Sequence, residues 1–118
     1  MKPTVKGLLV SLNTDPEVKE VENSLSALYS LLDCKLIEPG YFFRNRRIVA
    51  LFDENGKDKC LPPNIILLHE GRIYDYVAGN VFFVSYDDDG NFCDLPDQIL
   101  EKLKVKFGGD VHVITYGE

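Results

Sequence analysis

The chain has 118 residues, 45% of them apolar and 27% charged, which is ordinary for one globular domain over residues 1–118 with a single core. A net charge of −6 and a pI near 4.9 argue against general nucleic-acid binding, because phosphate recognition needs clustered Lys and Arg. No run of 18 apolar residues could span a bilayer, and the start turns polar after about eight residues without the apolar stretch of a secretion signal. A cytoplasmic, membrane-free protein is expected. Cys34, Cys60 and Cys93 fit neither a disulfide framework nor the paired spacing of a zinc site, and are expected as buried, reduced thiols.

Residues 5–12, VKGLLVSL, read as a first strand that ends in the turn formers Asn13 to Pro16. Glu17 to Glu22 alternates as a short strand or extended arm. Asn23 is placed to cap a helix over residues 24–33, with Leu25, Leu28, Leu31 and Leu32 at helical spacing. Residues 34–38 read as a strand ending at the turn Pro39-Gly40. Tyr41 to Phe43 and Arg47 to Phe52 then read as a hairpin with Arg44-Asn45-Arg46 at its junction.

The next stretch is repeated. FDENGKDKCLPPNII at 52–66 and YDDDGNFCDLPDQIL at 86–100 share Asp53/Asp87, Gly56/Gly90, Leu61/Leu95, Pro62/Pro96 and Ile65/Ile99 at an offset of 34. In each copy an apolar strand, IVALF or VFFVSY, runs into an Asp-x-x-Gly reversal whose glycine is expected at positive φ. In the second copy Asp94 is placed to cap a helix over about residues 95–106, with Pro96 in its first turn and lysines near its end. In the first copy Pro62-Pro63-Asn64 leads into IILL, read as a helical turn or an extended connection. Gly108-Gly109 stops the second helix, and Val111, Val113 and Thr115 alternate with His112, Ile114 and Tyr116 in a last strand. The sum is an α+β domain, a mostly antiparallel sheet with two helices packed on one face. Two copies are too few for a solenoid, so the repeat is read as a folding device.

Tests for chemistry fail. Aligning DENG or DDDG with an EF-hand loop puts Leu51 or Ser85 at position 1 and proline at position 12, where a bidentate Glu is needed. No HExxH, CxxC, GxSxG or Gly-rich phosphate loop occurs, so no catalytic residue, metal site or cofactor is expected. Cys60 or Cys93 meeting His69 or His112 is the one enzymatic arrangement left, because such pairs meet in space. The compositional anomaly is YFFRNRR at 41–47, three aromatics beside three arginines in an acidic chain. Aromatic faces beside guanidinium groups can hold a base and a phosphate; the bland alternative is a hairpin with cationic residues guarding its edge. Tyr41, Arg44, Arg46 and Arg47, joined by the Pro62-Pro63-Asn64 corner, form the candidate ligand site. Tyr74 and Tyr76 in RIYDYVAGNVFF point the same way from a strand, where core packing or an interface would serve as well.

The segments PEVKEVENSLSALYSLLDCKLIE, RRIVALFDENGKDKCLPPN and YDYVAGNVFFVSYDDDGNFCDLPDQILEKL resemble, in order and spacing, a small family defined only as a domain of unknown function and frequent in phages, prophages and mobile elements. The resemblance covers the chain through about residue 105, with Leu61 to Asn64 the most distinctive piece. It implies a compact α+β accessory protein and transfers no catalytic residue. The expectation is therefore a non-enzymatic protein that binds a host protein, such as a defence nuclease or CRISPR effector. The alternative is a small-ligand or nucleotide-like-ligand binder, a sponge. A strand edge left open would allow a homodimer.

Overall fold

The computed structural model describes residues 3–44 and 46–118. Nine strands and two helices are found among them. Sheet A has the order β2 (Glu17–Glu22), β1 (Thr4–Val10), β7 (Val81–Tyr86), β4 (Ile48–Asp53), β3 (Ile37–Gly40), with β8 (Phe92–Cys93) on β7, all antiparallel. Sheet B has the order β6 (Arg72–Ala78), β5 (Pro63–His69), β9 (His112–Thr115), with β5 and β9 parallel. The α+β class is as expected. No helix among the described residues is long and apolar enough to cross a membrane.

The placement of the helices differs from the expectation. In β4, Ile48, Ala50 and Phe52 point into one core and Val49 and Leu51 into another; in β7, Val81 and Phe83 oppose Phe82 and Val84 in the same way. Side chains alternate along a strand, so these cores lie on opposite faces of sheet A. Helix α1 (Leu25–Leu32) covers one face through Leu28 and Leu32. Helix α2 (Asp97–Lys106) and sheet B cover the other, with Leu100, Leu103 and Phe107 against Phe83. The continuous apolar runs of β4 and β7 are the reason, because a strand buried on both faces has no polar side to show.

Local signals also resolved differently. Ser24, not Asn23, caps α1, its Oγ accepting from the Ala27 N–H at 3.2 Å, while the Asn23 amide donates to the Phe92 carbonyl. Asp94 does not cap α2. Its carboxylate accepts from the Lys6 N–H at 2.8 Å and the Leu95 N–H donates to the Lys6 carbonyl, so the residues before α2 latch onto β1.

Among the described residues Tyr41 to Phe43 form no strand, so the hairpin expected over 41–52 is not found there. Pro39 and Gly40 lie inside β3, opposite Leu51 and Ala50; residues 41–44 and 46–47 are irregular, and Asn45 lies outside the described residues. Proline is tolerated there because β3 is an edge strand. Gly40 is needed for space: a Cβ on it would come within 2.4 Å of the Phe42 ring, which folds back over the strand. The IILL segment is β5, a strand rather than a helical turn.

Candidate functional site

The repeated passages build matching reversals. Asp53 Oδ1 accepts from the Asn55 N–H at 2.9 Å and Asp87 Oδ1 from the Asp89 N–H at 3.0 Å. The two backbone carbonyls accept from Gly56 at 3.1 Å and from Gly90 at 3.0 Å. Only Gly90 has the expected positive φ, +82°; Gly56 is required for room, since a Cβ there would lie 2.9 Å from the Ala78 carbonyl. These carboxylates are held by turn N–H groups. Among the described residues no group of three or more His, Cys, Asp and Glu could hold a metal.

The thiols are not buried as expected: Cys60 is exposed, and Cys34 and Cys93 are half-buried. Burial pushes the Cys34 thiol above its ordinary pKa, with Asp53 adding to the effect. No cysteine hydrogen-bonds to a histidine among the described residues. Cys60 lies in the turn before β5 and His69 at its far end, with the strand's length of roughly 20 Å between its two ends. His112 is committed elsewhere: its Nδ1–H donates to Asn64 Oδ1 at 2.7 Å, and the Asn64 amide donates to the Val10 and Gly79 carbonyls at 2.9 and 2.8 Å. The two carbonyl acceptors fix the Asn64 orientation and hence the histidine tautomer.

The residues expected to form one ligand site divide between the two ends of the central strands. Asn64 is buried beside Val10 and Gly79, at the end where Phe52 pairs with Val81. Pro62 accepts from the Gly79 N–H at the same end, and Pro63 is exposed there at the start of β5. Residues 41–47 return to Ile48, which pairs with Ser85 at the other end. There Arg47 is ion-paired with Asp88, which holds its guanidinium pKa above the ordinary value, and Arg46 is exposed.

Tyr41 and Arg44 do come together, joined by Tyr74 as expected and by Tyr116 of the last segment. They line a shallow groove of about 160 Å³ with Phe42, Phe43, Tyr74 and Tyr116. Tyr41 stands edge-on to Tyr86, ring centroids 5.5 Å apart, and His69 bridges Tyr116 and Tyr74 at 4.9 and 6.4 Å. Exposure is 61% at Tyr41, 50% at Tyr74 and 61% at Tyr116, high for large rings gathered in one place. Burial of part of the Tyr74 ring, with Asp75 beside it, pushes its phenol pKa up, so it remains a neutral hydrogen-bond donor. The Arg44 N–H donates to the Glu118 carbonyl, anchoring the backbone. Its guanidinium lies against Gly117 and forms no ion pair among the described residues. Tyr116 follows β9, and its alternation with the strand was the only sequence signal for its place here.

Phe42 also lines a second, deeper opening of about 110 Å³ between the sheets. One wall is Glu38 and Phe52 on the sheet A edge, where the two residues are paired directly; the other is Asp75, Tyr76 and Val77 of β6. Phe42 and Phe52 stack with centroids 6.3 Å apart. Lys57 reaches across from the 53–61 loop to Asp75 and lies 4.6 Å over the Tyr76 ring. That contact raises the Lys57 pKa and lowers the Asp75 pKa.

A family model described as a domain of unknown function (DUF3846) matches residues 5–108. Neither a curated protein nor a solved structure matches the chain.

Proposed function

The chain belongs to the DUF3846 family of domains of unknown function, and we propose that it is a non-enzymatic binding module that engages another protein through its tyrosine groove. The observation that carries this reading is the set of three exposed tyrosines around the uncommitted Arg44 guanidinium. Tyrosine and arginine are the residues that dominate protein interfaces, where each buries a large amphipathic or planar surface. The groove volume of about 160 Å³ lies below the roughly 300 Å³ at which small-molecule pockets begin, which favours a partner that lays a surface over it. In the phage and mobile-element setting implied by the resemblance, the partner is a host protein in the cytoplasm, a defence nuclease or CRISPR effector among the candidates.

The test is capture from a bacterial lysate by the tagged chain, compared with its Tyr74→Ser and Arg44→Ala variants. Loss of either anchor should reduce recovery of a specific partner roughly tenfold, as about 1.4 kcal/mol at an interface anchor would give, with the circular dichroism spectrum unchanged. Equal recovery by all three proteins would sink the reading. A second reading, a nucleotide-like ligand, is favoured by one observation, the uncommitted guanidinium beside open ring faces. A thermal-shift screen separates the two: nucleotides should raise the melting temperature only under this second reading, and Arg44→Ala should abolish the rise.

A further inference from the structure

We propose that the inter-sheet cleft beside the groove is a seat for a basic side chain, one lysine or arginine presented by a basic segment of a protein partner. The cleft has an apolar interior and an acidic mouth: Phe42, Phe52 and Val77 within, with Glu38, Glu54 and Asp75 at the rim. Acidic side chains alone would be a solvated rim. What adds ligand chemistry is Lys57, whose ammonium is already held there by the Asp75 carboxylate and by the face of Tyr76 at 4.6 Å. The chain's own ammonium thus occupies one cation position in the cleft.

Capacity for a second cation remains. Asp53 is satisfied by Lys59 at 2.7 Å and Asp75 by Lys57, whereas Glu38 and Glu54 form no ion pair among the described residues. Glu38 lies directly across from Phe52 on the sheet edge, and both line the cleft with Phe42. A lysine or arginine entering there would lay its methylenes along the rings and leave its charge among the carboxylates. A volume of about 110 Å³ suits one side chain of a larger partner, and the net charge of −6 draws basic segments towards the surface. This seat is separate from the tyrosine groove, and the experiment below reads the cleft by itself.

The probe is the blocked peptide acetyl-Lys-Lys-Lys-amide, titrated into the full ¹⁵N-labelled chain and followed by amide shifts, with its tri-acetyllysine counterpart as the neutral control. Saturable shifts centred on Glu38, Glu54, Asp75 and Tyr76 are expected with the charged peptide and not with the neutral one. The double variant Glu38→Gln/Glu54→Gln should bind at least fivefold more weakly. Lys57→Ala, or Lys57→Gln should the alanine variant fold poorly, should bind at least threefold more tightly, because it removes a like charge from the cleft and frees the Asp75 carboxylate. Lys19→Ala, which removes an equal charge from a pair with Glu17 on β2, sets the baseline for non-specific electrostatics. Shifts centred on Asp87 to Asp89 or spread evenly over the acidic residues would overturn the proposal. So would a double variant that binds like the parent, or a Lys57 variant no tighter than Lys19→Ala.

Discussion

The passages 52–66 and 86–100 make the same reversal and then part company, although their strands lie side by side as β4 and β7. Both reverse on an aspartate whose carboxylate accepts a backbone N–H two residues on and whose carbonyl accepts from the glycine three on. After Leu-Pro the second passage enters α2 and the first enters β5. What separates them is the partner met at that point. Leu95 and Asp94 latch onto Lys6 of β1 and send the chain across the sheet as a helix. The Leu61 N–H instead donates to the Gly56 carbonyl, closing the loop on itself, and Pro62 accepts from Gly79 beside the start of β5. Shared local residues fix the turn, and tertiary contacts choose the element that follows.

The comparison can be broken first at the leucines. Leu95 is 1% exposed in the core formed with α2, whereas Leu61 is half-buried. Leu95→Ala should cost about 3–4 kcal/mol, the range for a well-packed core leucine, and Leu61→Ala about 1 kcal/mol. Urea denaturation with an unchanged m-value measures both. Equal losses would mean that the two leucines do equivalent work and that the divergence lies elsewhere.

A somewhat smaller contrast is expected at Asn64 and Gln98, the same position in the two copies. Asn64→Leu strands the Val10 and Gly79 carbonyls and the His112 N–H, so a loss of about 2–3 kcal/mol is expected. Gln98→Leu, on the exposed side of α2, should change stability by no more than about 0.5 kcal/mol. A tolerant Asn64 in the same denaturation assay would remove the buried network as the device that fixes β5 and β9.

The same contrast shows what could be read from residues alone. β1, α1, α2 and β9 were legible because periodicity and turn chemistry agree at each, and the paired reversals were legible because Asp and Gly act within four residues. Which faces the helices cover was less accessible: an unbroken apolar run such as IVALF names a buried strand without naming its neighbours, although its lack of a polar side was a signal for burial on both faces. Pro39-Gly40 was misread as a turn because proline on an edge strand and a glycine that seats the Phe42 ring carry the same letters as a reversal. The tyrosine groove was half legible. Tyr41, Arg44 and Tyr74 stood out by composition, but Tyr116 joins them only through the parallel pairing of β9 with β5, a contact across 47 residues that no local pattern encodes.

The smallest expected effect sharpens the comparison by pH, because the shifted group is a carboxylate in the second reversal and a lysine in the first. Asp87 has its pKa lowered chiefly by the Asn91 N–H and then by the Asp89 N–H. Its folded pKa lies below its unfolded one, so the contribution is present above the ordinary carboxylate range and is lost as pH falls through the depressed value. In the first copy Lys59 has its pKa raised, chiefly by its hydrogen bond to Asp53. That contribution is complete below the ordinary lysine value and is lost only as pH rises through the raised one. Amide shifts of Asp89 and Asn91 should therefore move in acid with a midpoint below 3.8, the ordinary aspartate value, and Asp87→Asn should abolish the transition. The Lys59 amide should show a further transition in alkali, above the ordinary lysine value, that the second reversal lacks. If the Asp89 and Asn91 amide shifts instead move at or above the ordinary aspartate value, the Asp87 carboxylate is not bound by its turn, and the likeness between the two reversals ends at the backbone.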